Sequence, residues 1–125
     1  MAVLGLGMDV CSVERIARVL EGPLGGRFRE RVYTPAEIAT CEDRTDSAMA
    51  YAARFAAKEA LVKALGAPGG LRWTDMEVLK AESGAPYFSL SGVAAREVSD
   101  RRARVLLALT HDGGIAAATV VLDAS

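Results

Sequence analysis

Residues 55–66 read FAAKEALVKALG, from Phe55 to Gly66. The alanines and leucines predict a buried helix, capped at its start by Asp46 or Ser47 and ended by Gly66 and Pro68. At ~100° per residue, Ala53, Ala56, Ala57, Ala60 and Ala64 share a side that another backbone can approach closely. Glu59 and Lys63 fall about 40° apart on a different face. Arg54 and Lys58 are also four apart, on a neighbouring face beside Leu61 and Leu65. A helix with so little polar surface therefore keeps Lys58, Glu59 and Lys63 among its apolar residues. An i, i+4 Glu–Lys pair on a solvated face is worth only ~0.2–0.5 kcal/mol. Taken alone, Glu59 and Lys63 read as that ordinary surface pair.

Working outward, residues 2–9 are small and apolar and predict a strand. Ser12 caps a helix in which Val13, Ile16, Ala17 and Leu20 recur at i, i+3, i+4 and i+7. That helix stops at Gly22-Pro23, with Gly25-Gly26 read as a turn. Thr34-Pro35-Ala36-Glu37 is a capping box with proline at the first helical position, so a short helix follows. Beyond the long helix, Met76–Ala81 and Tyr87–Leu90 predict strands joined by Ser83-Gly84-Ala85-Pro86. A helix is expected from about Val93 to Arg101. Arg104–Thr110 and Ile115–Leu122 then form strands, with Asp112-Gly113-Gly114 as a hairpin signal between them. No repeat, linker or composition break divides the chain. The expected fold is a single α+β domain over residues 1–125, antiparallel strands packed against helices.

A chain of 125 residues, 51% apolar, is long enough to bury one core. Its apolar runs fall well short of the ~20 residues that span a bilayer. The opening MAVLGLGMDV shows neither a basic leader nor a small-residue cleavage site, so no signal peptide is read. Cys11 and Cys41 lack CxxC spacing and a neighbouring histidine, which argues against zinc and fits free thiols in a reducing cytoplasm. A net charge of −1 argues against non-specific nucleic-acid binding. Between Ser12 and Pro35, however, Arg15, Arg18, Arg27, Arg29 and Arg31 outnumber Glu14, Glu21 and Glu30. Such a run is a solvated face or a local basic surface for an acidic partner.

Asp9 ends an apolar strand just before a capped helix, where a carboxylate often faces a cleft. Gly5-x-Gly7 beside it is not a dinucleotide fingerprint, because the third glycine would fall at Val10. The two glycines are expected to let strands pack closely. No GK dipeptide occurs, so there is no P-loop. His111 is the only histidine, and no serine sits in a nucleophile motif, so a Ser–His–Asp hydrolase has little support.

GLGMDVCSVERI, RFAAKEALVKALG, SGAPYFSLSG and ALTHDGGIAAATVVL together resemble, in order and spacing, the holo-acyl-carrier-protein synthases. These are small bacterial phosphopantetheinyl transferases, and the resemblance covers nearly the whole chain. Its most specific parts are a G-x-D with arginine six residues after the aspartate, and the W/F-x-x-K-E-A-x-x-K helix. The resemblance implies transfer of 4′-phosphopantetheine from coenzyme A to a serine of apo acyl carrier protein, releasing 3′,5′-ADP. It implies Asp9 and Glu59 as ligands of Mg²⁺, with Lys63 on the pyrophosphate; Mg²⁺ suits such a site, since it takes one or two carboxylates, phosphate oxygens and waters.

The same resemblance implies coenzyme A contacts at Arg54, Lys58, Lys63, Gly84, Pro86, Thr110 and His111, with Arg54, Lys58 and His111 around the adenosine end and its 3′-phosphate. It implies a homotrimer whose active sites lie between subunits, and docking of an acidic carrier-protein helix on the first helix, where Arg15 matches the family's arginine. Arg18 shares its outward side, opposite the Val13–Ile16–Leu20 stripe, as a further docking residue. Three positions depart from the family's pattern. Ala85 stands where the turn usually carries a basic residue, Ala108 where a serine is usual, and Leu106 where a histidine is common. Two rival readings are a coenzyme A or carrier-protein binding module without catalysis, and a metal-dependent phosphate-ester hydrolase.

Overall fold

The computed structural model describes residues 2–125 as one α+β domain. Its elements run β1 (Val3–Ser12), α1 (Val13–Glu21), α2 (Gly25–Val32), α3 (Pro35–Glu42), α4 (Ser47–Ala64), β2 (Met76–Lys80), β3 (Pro86–Leu90), α5 (Gly92–Asp100), β4 (Ala103–Asp112) and β5 (Ile115–Ala124). β1, β5 and β4 form an antiparallel three-stranded sheet in that order, and β2 and β3 form a separate hairpin. Gly113 and Gly114 close the β4–β5 hairpin, both at positive φ (56° and 80°). That is the pair of left-handed residues a two-residue primed turn requires.

Local signals set most boundaries. The Ser12 side chain accepts from the Arg15 amide at the start of α1, and Thr34 and Glu37 complete a reciprocal capping box on α3. Asp46 precedes α4 without capping it, because Arg44 holds its carboxylate by two hydrogen bonds of 2.8 and 3.1 Å. α2 departs from the expected turn at Gly25-Gly26. It has no side-chain cap, and its order comes from packing: Val32 is buried, and the Phe28 ring lies 5.9 Å from Tyr33 and 5.8 Å from Phe55. Cys11 and Cys41 are free and buried, and burial pushes the Cys41 thiol up to about 11.

α4 lies across the inner face of the three-stranded sheet, where Ala116, Ala118, Val120 and Leu122 of β5 are buried. The small-residue side of α4 meets β1 at the two glycines. A Cβ built on Gly5 would stand 2.6 Å from the Ala64 carbonyl oxygen, and one on Gly7 would collide with that of Ala60. The glycines thus admit a helix rather than another strand. Gly7→Ala should destabilise the domain by about 3 kcal/mol, since rigid main chain on both sides leaves no side chain to give way. Urea unfolding checks this, and an unchanged midpoint would contradict the contact.

The opposite face of the sheet is apolar and bare. Leu6, Met8 and Val10 of β1 are 65%, 62% and 62% exposed, and Leu106 and Ile115 join them across the register. Among the described residues no helix is long and apolar enough to cross a membrane.

Candidate active site

The pleat of β1 puts Gly5, Gly7 and Asp9 on one face. The glycine contact with α4 therefore continues, one step further, into a polar contact. The Lys63 ammonium donates to Asp9 Oδ1 at 3.0 Å and to the Met8 carbonyl oxygen at 3.0 Å. Lys63 thus reaches across to β1, and does not close on Glu59 one turn before it. Its side chain remains half exposed, whereas that of Asp9 is largely covered. Glu59 is partly buried beside them; burial first, and then the Asp9 charge, push its carboxyl above the ordinary 4.5, with Lys63 opposing. Glu59 also borders a cleft of about 360 Å³ walled by Val62, Leu71, Trp73 and Met76.

Two carboxylates near enough for the Asp9 charge to act on Glu59, with one ammonium bonded to Asp9, favour an added cation. Among the described residues no third His, Cys, Asp or Glu completes a protein cage. Two carboxylates with the remaining positions open to phosphate and water is the donor set that Mg²⁺ takes at phosphate sites. Asp9 and Glu59 fit that ion.

A second group of candidate residues forms its own depression, of about 190 Å³. Arg54, Gly84, Pro86, Thr110 and His111 line it, joined by Arg44 and Lys80, which the sequence reading did not single out. Arg54 is 5% exposed; its Nη1 donates to the Ala50 carbonyl, and its Nε has no partner. The β2–β3 register carries Gly84 and Pro86 here, with Lys80 opposite Pro86. No residue lines both this depression and the cleft beside Glu59.

Lys58 belongs to neither group, which corrects its expected place near the coenzyme A phosphate. It is completely buried. Its ammonium donates to the Val32 carbonyl (2.6 Å), Glu37 Oε1 (2.7 Å) and the Trp73 carbonyl (3.0 Å), so all three protons are used inside the protein. Glu37 in turn accepts from the Thr34 and Val78 amides. One step of ~100° from Glu59 is enough to turn Lys58 into the layer of α2 and α3. Burial holds it below the ordinary lysine value despite Glu37.

On α1, Arg15 and Arg18 point outward opposite buried Ile16 and Leu20. Arg18 is paired with Glu14. Arg29 turns inward, bonding Glu42 and the Leu20 carbonyl and covering the Tyr51 ring at 5.5 Å, so only Arg27 and Arg31 extend the exposed positive charge on α2, beside exposed Glu30.

A family model described as the 4′-phosphopantetheinyl transferase superfamily matches residues 5–119. The chain belongs to that superfamily. Among its relatives is the holo-[acyl-carrier-protein] synthase of Myxococcus xanthus, 61% identical over 98% of this chain and 97% of its own. The synthase of Anaeromyxobacter dehalogenans is 55% identical over 97% of this chain and 96% of its own. Among solved members of the superfamily, the synthase of Neisseria meningitidis superposes with a TM-score of 0.88 at 27% identity, covering 98% of this chain and 99% of that one. The Helicobacter pylori synthase in complex with coenzyme A gives 0.77 at 30% identity, covering 94% and 99%.

Proposed function

We propose that the chain transfers 4′-phosphopantetheine from coenzyme A to a serine of apo acyl carrier protein, giving the holo carrier and 3′,5′-ADP, with Mg²⁺ held by Asp9 and Glu59. The observation that carries the mechanism is the convergence of Asp9, Glu59 and Lys63 where β1 leaves the helix. The serine oxygen attacks the phosphorus bearing pantetheine. The bond from that phosphorus to the 3′,5′-ADP oxygen breaks, that oxygen leaves with the electron pair, and the serine proton passes to solvent. A bound Mg²⁺ would supply positive charge to the pyrophosphate oxygens. Lys63 uses two of its protons on Asp9 and Met8, which fixes its ammonium and leaves the third for the departing phosphate. Transfer of this kind is mainly positioning and charge stabilisation, which these three side chains provide.

Two observations support assembly into a trimer with shared sites. The bare apolar sheet face is the sort of patch that marks an interface. The Asp9–Glu59–Lys63 cluster and the Arg54–His111 depression lie apart in one chain, which suits a site completed by the neighbouring copy. The cytoplasm, where carrier and coenzyme A are available, is the proposed location.

The test is incubation with coenzyme A, Mg²⁺ and apo carrier protein, followed by intact-mass spectrometry of the carrier. A gain of one phosphopantetheine is expected. Release of 3′,5′-ADP with the carrier unmodified would replace transfer by hydrolysis, and no turnover would leave a binding module.

Arg15 gives the partner side of the proposal. It is exposed on α1 and has no ion pair among the described residues, so an acidic helix can reach it. Arg15→Glu is expected to raise KM for the carrier steeply and leave KM for coenzyme A unchanged, since such charges act on encounter more than on chemistry. Added salt should weaken the wild type more than the variant, because the Debye length is ~10 Å at 0.1 M. Equal carrier KM values across that salt range would place docking elsewhere.

A further inference from the structure

Lys58 points away from the site, yet one of its three bonds ends on the wall of the cleft beside Glu59. Its ammonium donates to the Val32 carbonyl at 2.6 Å, to Glu37 Oε1 at 2.7 Å and to the Trp73 carbonyl at 3.0 Å. Val32 is the last residue of α2, and Glu37 lies in the first turn of α3, where the Thr34 and Val78 amides hold its carboxylate. An ammonium carries three donors in a fixed tetrahedral arrangement. Two anchored bonds therefore set the direction of the third, and the third holds Trp73.

Helix geometry carries that bond across to Glu59. At ~100° per residue, Phe55 and Val62 fall between Lys58 and Glu59 around α4. The Trp73 ring lies on Phe55, with centroids 5.5 Å apart and planes inclined at 36°. Trp73, Leu71 and Met76 then wall the cleft together with Val62 and Glu59. The Trp73 segment thus crosses α4 from the Lys58 side to the Glu59 side. It is reached by a loop, Gly66 to Arg72, most of whose residues are exposed. The Lys58 bond and the Phe55 contact are its ties to α4.

We propose that Lys58 is a positioning residue for the transfer: from inside the protein it holds the Trp73 segment at a fixed distance from Glu59, and so sets the wall against which the substrate lies beside the reacting phosphate. This deepens the transfer reading and rests on it for the identity of the substrate. Packing alone would ask only that the Lys58 pocket be filled and its charge balanced. The bond to the Trp73 carbonyl adds a defined place for the wall, which an apolar side chain cannot reproduce.

The test uses the whole protein and replaces the pair as Lys58→Met/Glu37→Gln, so that no buried charge is left unpaired. It is compared with wild type and with Leu122→Ala, a destabilising cavity in β5, on none of the segments that Lys58 ties. Sucrose keeps both variants folded. Calorimetry with 3′,5′-ADP, which lacks the pantetheine arm, measures nucleotide binding. Emission and acrylamide quenching of Trp73, the only tryptophan, report the wall in ligand-free protein. The pair variant is expected to bind 3′,5′-ADP as the wild type does, and to show a redder, more readily quenched Trp73. Its kcat with coenzyme A and apo carrier should fall about tenfold or more, the scale of a misplaced substrate. Leu122→Ala should match the wild type in all three. An emission shift without the kcat loss, the loss without the shift, neither, or both in Leu122→Ala would overturn the assignment. So would loss of 3′,5′-ADP affinity in step with kcat, which would return Lys58 to the nucleotide. Absence of carrier modification by the wild type, with the emission shift intact, would instead overturn the transfer reading alone.

Discussion

Asp9→Ala and Glu59→Gln are each expected to abolish carrier modification while leaving a folded domain. Asp9 is the one carboxylate β1 presents beyond the glycine contact, and its loss also frees Lys63 from the bond that positions it. Glu59 sits partly buried with no hydrogen bond to Lys63, so its removal takes away a proposed metal ligand and not a structural tie. The two variants are expected to differ in stability, and the sign follows from Glu59's raised pKa. A carboxyl whose folded pKa lies above its unfolded value contributes its stability below the unfolded value and loses it as pH rises through the folded one. At neutral pH, without divalent metal, ionised Glu59 therefore costs stability, and Glu59→Gln is expected to melt above the wild type. The difference should vanish below about 4.5, where both side chains are neutral. Thermal scans between acid and neutral pH, with EDTA present, check this alongside the transfer assay. Residual transfer near the wild-type rate in either variant would remove that residue from the metal site.

Lys58→Met is expected to be the most damaging single substitution to the fold. It leaves the Glu37 carboxylate fully buried without its cation, a change that typically costs 3–5 kcal/mol. The same ammonium ties α4 to the end of α2, to α3 and to the turn before β2, so the loss spreads over four segments. Glu37→Gln in the Lys58→Met background should recover part of the loss, because it removes the unpaired charge while its amide oxygen still accepts from one of the two amides, Thr34 or Val78, that the two carboxylate oxygens held. Urea midpoints for the single and double variants decide it. If Lys58→Met unfolds at the wild-type midpoint yet loses affinity for coenzyme A, Lys58 returns to the ligand side.

The contrast between Lys58 and Lys63 shows how far the residue pattern carries. Spacing along one helix correctly separates their faces, and the Gly-x-Asp pattern marks Asp9 as a strand carboxylate, although β1 does not end there and runs on, paired with β5, to Ser12. Local chemistry likewise identifies the Thr34 capping box and the Gly113-Gly114 turn, because each signal is contained within four residues. What surrounds a face is a different kind of information. Glu37 lies 21 residues from Lys58, and nothing in the helix indicates that α3 would fold over it. α2 was hidden for a related reason. Its Gly-Gly start and missing cap read as a turn, and only the aromatic contacts of Phe28 with Tyr33 and Phe55 make it a helix. Lys80 carries no motif of its own, and only the register that sets it opposite Pro86 brings it to the depression around Arg54.

The glycine contact between β1 and α4 has a dynamic consequence. Where two backbones touch with no side chain between them, no rotamer change can separate them, and the only motion that parts strand from helix is unfolding of the sheet. The Ala60 and Ala64 amides, inside that contact, should therefore exchange with deuterium at the rate of global opening, among the slowest in the chain. Asp9 is fixed to one side of this seam, and Glu59 and Lys63 to the other. The separation of the three backbone positions that carry them is as stiff as the domain itself, and only side-chain rotation remains to bring the charges to a ligand.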